Sequence, residues 1–229
     1  MKPGISHSWD LSKEEALEQQ KKLAAKVITN DQIGEVKFVA GVDVAYSKDS
    51  DRLIAAVVIL DAETLEIIET ATAEGINRFP YIPGLFSFRE LPPLAKACAN
   101  LQHRPDLVVC DGQGIAHPRR FGLACHFGVI FDIPTIGCGK TRLIGEYKEP
   151  DITRGSVAPL VDHDEVVGNA LRTQHGINPI YVSIGHRVSL STACEWILKL
   201  SPQYRLPETT RTADQLVKAK INNKLFNLQ

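Results

Sequence analysis

The chain has 229 residues, 44% hydrophobic and 23% charged, an ordinary globular composition that excludes a disordered or fibrous protein. Twenty-six Lys and Arg stand against 27 Asp and Glu, a net charge of −1. That excludes coating nucleic acid through bulk positive charge, so any such binding needs a local basic patch or a metal that offsets local acid.

The longest apolar runs, such as Ile54 to Leu60, fall far short of the roughly 18 residues of a membrane span. No apolar stretch of the kind found in a secretory signal follows Met1-Lys2-Pro3-Gly4. A cytoplasmic protein with no membrane partner is expected. No linker divides the sequence, so residues 1–229 are expected to form one domain. The five cysteines, at 98, 110, 125, 138 and 194, include no C-x-x-C pair and read as reduced and buried.

In chain order, Asp10 to Ile28 has the apolar stripe of a helix. Val36 to Tyr46, Ile54 to Leu60 and Glu66 to Glu74 read as three strands on short turns, an antiparallel meander. Phe79-Pro80-Tyr81-Ile82-Pro83-Gly84 cannot be regular structure. A helix follows over Ser87 to Leu101, then a short buried strand, Leu107 to Cys110, ended by Asp111-Gly112-Gln113-Gly114. Another helix is expected over Arg119 to Ile130, and a strand begins at Pro134 to Gly137. Val157 to Arg172 reads as a hairpin around Asp162-His163-Asp164, and Ile180 to Ile184 as a further strand. Helices over Ser191 to Leu200 and Arg211 to Lys224 finish the chain. A meander followed by alternating helix and strand implies an α/β fold, a mixed sheet with helices on its faces.

Three carboxylates sit in unusual places. Asp43 interrupts an apolar strand, where a carboxylate is costly unless it is paired, metal-bound or on an edge facing water. Asp111 follows a buried strand; it is either a turn former before Gly or a ligand at the strand ends where α/β sheets collect them. Glu90 is either the N3 partner of Ser87 in a capping box or a site residue, and Pro92 and Pro93 weigh against an ordinary helix there. If the three converge at one end of the sheet, hard divalent cations would relieve their repulsion and form a site for attack on a phosphodiester.

Gly137-Cys138-Gly139-Lys140-Thr141 invites a phosphate-loop reading, but Pro134 stands where that motif needs Gly. Lys140 is then either a solvated lysine or one that faces a scissile phosphate beside Asp111. The two prolines around Tyr81 and Ile82 stiffen either a loop tucked into the core or a wedge that enters a base stack. Arg119, Arg120, Arg205, Arg211, Lys218, Lys220 and Lys224 offer either a nucleic-acid backbone face or a solvated surface. Among the histidines, His117 and His186 lie beside Gly-bearing loops.

Taken together, these segments resemble the endonuclease V family, the deoxyinosine 3′-endonucleases of DNA repair. The resemblance is carried by Val39-Ala40-Gly41-Val42-Asp43, Phe79 to Gly84, Phe88-Arg89-Glu90, Asp111 to Gly114 with Ala116-His117-Pro118-Arg119, Ile133 to Gly137, Gly185-His186, and Arg205 to Glu208 with Thr210-Arg211. It implies a ribonuclease H-like fold, an antiparallel meander followed by parallel strands with helices on both faces. It also implies hydrolysis of DNA with Mg²⁺, or Mn²⁺ in its place, at the second phosphodiester bond 3′ to a deaminated base. Asp43 and Asp111 match the family's metal-binding aspartates and Glu90 its active-site glutamate. Lys140 matches a lysine near the scissile phosphate, and Asp214 falls where members carry His or Asp near the metals.

Tyr81, within Pro80, Ile82 and Pro83, matches the wedge. The pocket for the lesion would draw on Gly84, Leu85, Phe86, Gly112, Gln113, His117, Leu123, Gly137 and Gly139. Cys138 to Thr141 departs from the relatives' Val-Ala-Lys-Ser, and Pro207 to Thr210 from their Pro-Glu-Pro-Thr. The expected partner of the chain, taken as a monomer, is DNA with deaminated bases. The alternatives are an inosine-specific ribonuclease on the same fold and a non-catalytic reader of deaminated bases.

Overall fold

The structure, a computed structural model, describes residues 1–226. Thirteen elements are present among them: α1 (Lys13–Ala24), β1 (Phe38–Tyr46), β2 (Arg52–Asp61), β3 (Ile67–Ile76), α2 (Ser87–Ala99), β4 (Leu107–Cys110), α3 (Leu123–Phe131), β5 (Thr135–Gly139), β6 (Val157–Asp162), β7 (Glu165–Leu171), β8 (Ile180–His186), α4 (Leu190–Lys199) and α5 (Glu208–Ile221). The strands form one sheet in the order β3-β2-β1-β4-β5-β8-β7-β6.

The meander β1-β2-β3 is antiparallel, and β4 and β5 join β1 in parallel. Parallel pairing stops there. Strands β8, β7 and β6 run antiparallel, because β6 and β7 are a hairpin and β7 joins β8 by a short loop. The hairpin turns at His163 and Asp164, both with positive φ, as a two-residue turn requires.

Helices cover both faces. Val58, Leu60, Val109 and Ile136 pack under Ile197 of α4 and Ala213 and Leu216 of α5. Ala40, Val57 and Val108 face Leu91 and Leu94 of α2 and Phe127 of α3. Strand β2, buried along Leu53 to Leu60, is the apolar run expected of a strand covered on both sides.

Two helix starts and one helix interior differ from expectation. Helix α1 begins at Lys13, because Ser12 and Glu15 form a capping box that fixes its start. Helix α3 begins at Leu123; His117 to Arg120 form a turn ahead of it, with Arg120 at φ 52°. Helix α2 carries Pro92 and Pro93 inside it, yet its face bearing Leu91 and Leu94 is fully buried. Burial of that face outweighs the two missing donors.

Candidate active site

The register of the parallel strands sets the site. Val42 of β1 pairs with Cys110 of β4, and Cys110 pairs with Gly137 of β5. Asp43, inside β1, and Asp111, just past the end of β4, therefore stand side by side, and Lys140 follows the end of β5. Strand β1 is central, flanked by β2 and β4, so the edge-strand reading of Asp43 fails.

Alternation along β1 puts Gly41 and Asp43 on one face. A Cβ at Gly41 would lie 1.9 Å from the Thr209 carbonyl oxygen. Only glycine lets α5 approach this closely, and the approach delivers Asp214 to the site. Lys140 Nζ donates to Asp111 Oδ2 at 2.5 Å and lies 3.9 Å from Asp214 Oδ1. Lys218 holds the other Asp214 oxygen at 2.7 Å. Arg205 donates to the Lys140 and Pro179 carbonyls, each at 2.9 Å, and so braces the loop that carries the lysine.

Glu90 enters from the first turn of α2 and is buried. The capping-box reading fails: the N-cap is Phe86, with no side-chain cap bond. Ser87 Oγ bonds His126 instead, and the Tyr46 hydroxyl donates to Glu90 Oε1 at 3.3 Å. Burial, then the Asp43 charge, lifts the Glu90 carboxyl well above its usual range. Burial and the neighbouring Asp111 and Asp214 carboxylates raise Asp43 to about 7. The site therefore holds more negative charge than its surroundings neutralise.

Beside the carboxylates lies a cavity of about 360 Å³, at the small end of ligand pockets. Tyr81, Ile82, Pro83, Gly84 and Phe86 form one wall; Gly112, Gln113, His117 and Leu123 form another; Thr141 and Arg142 come from the Lys140 loop. Gly84 has φ +79°, and its carbonyl accepts from Arg119 at 2.7 Å and from Gln20 at 2.9 Å. Gln113 Nε2 donates to the Thr141 carbonyl at 3.0 Å, tying the turn after β4 to the lysine loop. Burial, then Arg119, lowers His117 to about 4; the ring is neutral, and its Nδ1 accepts from the Arg119 amide at 3.1 Å.

Three residues expected in the pocket, and Pro80 of the wedge, are not in its wall. Leu85 is fully buried among Ala16, Phe79 and Phe88. Pro80 lies in a separate groove beside Trp9 and Phe79. Gly137 and Gly139 pack tightly beneath the Gln113-Gly114 turn. They fail as wall residues because alternation and close packing, invisible in the sequence, decide which atoms reach the cavity.

The wedge segment divides its two side chains. Tyr81 is 71% exposed, so the core reading fails for it, whereas Ile82 packs with Ala16 and Phe79. The Arg89 guanidinium lies between the Tyr46 and Tyr81 rings, at 5.1 and 5.6 Å from their centroids. Arg89 as a link and Tyr46 as a partner of Glu90 were not singled out in sequence; no local pattern marks contacts between β1, the loop and α2.

The proposed basic face is largely used internally. Arg120 bonds Asp162 and Glu165, Arg211 bonds Glu208, and Arg119 bonds Gln20. His186 accepts from the Ile28 amide at 3.2 Å, a structural contact.

Among the described residues, no three His, Cys, Asp or Glu side chains stand together as a ready metal cage. The donor chemistry nonetheless fits a hard divalent cation: oxygen ligands only, in surplus, with the Lys140 ammonium resting on Asp111. Among the described residues no helix is long and apolar enough to cross a membrane.

Comparison with known proteins gives a consistent match. The family model for Endonuclease V matches residues 21–215. Endonuclease V of Nostoc punctiforme is 48% identical over 215 residues, which cover 93% of this chain and 97% of the relative. The crystal structure of Endonuclease V from Streptomyces avermitilis superposes with a TM-score of 0.91 at 47% identity, covering 96% of this chain and 97% of that one. A variant of Ciona intestinalis Endonuclease V, solved with a 23mer DNA containing an inosine followed by a ribo-adenosine, has a TM-score of 0.82 at 26% identity, covering 93% and 99%.

Proposed function

The chain belongs to the endonuclease V family and has its ribonuclease H-like fold, and from that premise we propose that it cleaves DNA at deaminated bases, deoxyinosine above all. It is a nuclease, and the proposed cut falls at the second phosphodiester bond 3′ to the lesion, with the lesion left in place. The observation that carries the reading is the gathering of Asp43 within β1, Asp111 just past β4 and Lys140 just past β5, on three adjacent strands, beside a base-sized cavity.

In this reading the flipped base enters the cavity and Tyr81 fills the gap it leaves in the stack. The strand then passes Thr141 and Arg142 toward the carboxylates. Lys140 sits where it can stabilise charge developing on the reacting phosphoryl group. Asp43, Asp111 and Glu90 would hold Mg²⁺, or Mn²⁺ in its place, with Asp214 beside them. When bound, the metal supplies Lewis acidity and lowers the pKa of water. Lys140 would then turn from Asp111 toward the phosphate. A non-catalytic reader would have no use for this carboxylate–lysine cluster.

The test is incubation of the full chain with inosine-containing DNA and RNA duplexes, with and without Mg²⁺, mapping the cut. Mg²⁺-dependent cleavage one nucleotide beyond the lesion on its 3′ side supports the reading. Cleavage of RNA alone would favour the inosine ribonuclease, and the ribo-adenosine in the Ciona complex makes that arm necessary. Cleavage without regard to the lesion would sink both.

A further inference from the structure

His126 on α3 is fully buried, and His7, ahead of α1, stacks on it with ring centroids 5.3 Å apart. The Trp9, Phe88 and Phe121 rings close around His126. Three hydrogen bonds run through the pair in series. Ser87 Oγ and His126 Nδ1 are 2.9 Å apart, His126 Nε2 and His7 Nε2 are 3.1 Å apart, and His7 Nδ1 and the Ser8 carbonyl oxygen are 2.6 Å apart. At the far end of this relay, Ser87 lines the cavity.

Chemistry fixes the direction of the protons. The Ser8 carbonyl can only accept, so His7 carries a proton on Nδ1. Burial holds both imidazoles below their usual range, so each is neutral with a single N–H. His7 Nε2 is then a lone pair, and His126 Nε2 must be the donor to it. His126 Nδ1 is left as an acceptor, and Ser87 must give it the one hydroxyl proton it has. Toward the cavity Ser87 keeps only lone pairs.

We propose that Ser87 is a specificity-determining residue of the cavity, its hydroxyl held as an acceptor by His126 and His7 so that it pairs with a ring N–H on the edge of the bound base. Deamination of adenine or cytosine creates this donor. Adenine N1 is a bare acceptor, whereas hypoxanthine N1 carries hydrogen; cytosine N3 and uracil N3 differ in the same way. An acceptor-only serine pairs with the deaminated base and sets lone pair against lone pair with the intact one. Sites that hydrogen-bond a substrate group discriminate strongly against analogues lacking it, because their own polar groups are left unpaired. The inference rests on the reading of the cavity as a deaminated-base pocket. Ser87 would touch the base; His126 and His7 are positioning residues.

Two measurements test it. Long-range ¹H–¹⁵N spectra of the labelled full chain report the tautomers: His126 is expected to carry its proton on Nε2 and His7 on Nδ1. A proton on His126 Nδ1 overturns the proposal without need of any variant. Binding is then measured, without divalent ions, for duplexes holding deoxyinosine, deoxyadenosine or deoxynebularine, whose N1 is bare. Ser87→Ala should weaken inosine binding roughly 5- to 150-fold, the cost of one lost buried partner, and should tighten nebularine binding, because the opposed lone pair is gone. Equal losses on the two, or no loss on inosine, overturn the role of Ser87 while leaving the nuclease reading intact. A wild-type chain that binds inosine no better than adenine overturns both.

Discussion

Asp43 shows what one residue can report. Its carboxyl is lifted from 3.8 to about 7 by burial, then by Asp111, so between these values the folded chain holds a proton that the unfolded chain has released. Stability in the absence of divalent ions must then fall as pH rises from about 4 to 7, and level off above. Asp43 alone accounts for at most about 4 kcal/mol of that fall, and Glu90 acts in the same direction. Asp43→Asn should flatten the slope, measured as denaturant unfolding at pH 5 and pH 8, while cleavage is lost by orders of magnitude. A variant that keeps the wild-type slope would show that Asp43 is not the titrating group. Lys140→Ala tests the other charge. It should slow single-turnover cleavage 10²- to 10³-fold, as loss of one transition-state contact does, with a much smaller change in Kd for DNA. A large loss of affinity at an unchanged rate would make it a backbone clamp. These residues were legible in sequence because charge inside or just past an apolar strand is conspicuous. Tyr46, Arg89 and the Ser87–His126–His7 series were not, since each contact joins distant segments.

Elements decide which of those residues meet. The strands were legible from their apolar runs, and the meander from its short turns. The antiparallel return of β8, β7 and β6 was not, because a buried apolar run does not state its direction. The late start of α3 was hidden too: Arg119 is spent on Gln20 and Gly84, a contact that no helical period can show. The crossing of α5 over β1 is the sharpest dependence. Gly41→Ala would force a methyl into the Thr209 backbone, and overpacking of this kind costs about 1–3 kcal/mol or more. The expected result is a lower Tm together with a slower turnover, because Asp214 moves with α5. Full activity at a lowered Tm would show that Asp214 is dispensable. The stiff loop before α2 carries a separate expectation. Tyr81→Ala should weaken binding to inosine duplexes by the roughly 1–3 kcal/mol of one base–aromatic stack, and single-stranded inosine DNA much less. Equal losses on the two substrates would make Tyr81 a packing residue.

At the scale of the whole molecule, net charge and internal pairing together set how DNA is held. The chain carries a net charge of −1, and the basic residues that looked like a binding face in sequence are mostly committed elsewhere. Arg119 and Arg205 hold backbone carbonyls, Arg120 bridges Asp162 and Glu165, and Arg211 pairs with Glu208. Lys218 is shared with Asp214, and Lys220 and Lys224 are exposed near the end of α5. Each phosphate neutralised on duplex DNA contributes about −0.9 to the slope of log K against log salt. Seven free cations would give a slope near about −6, whereas the residues left over here predict a slope no steeper than about −3. Anisotropy titrations of an inosine duplex between low and physiological salt, without divalent ions, measure it. Arg120→Ala should lower Tm by breaking the bridge from the turn before α3 to the β6–β7 hairpin, and leave the slope unchanged. A slope near −6, or one that loses about one unit with Arg120, would mean that these arginines leave their internal partners for the phosphates when DNA binds.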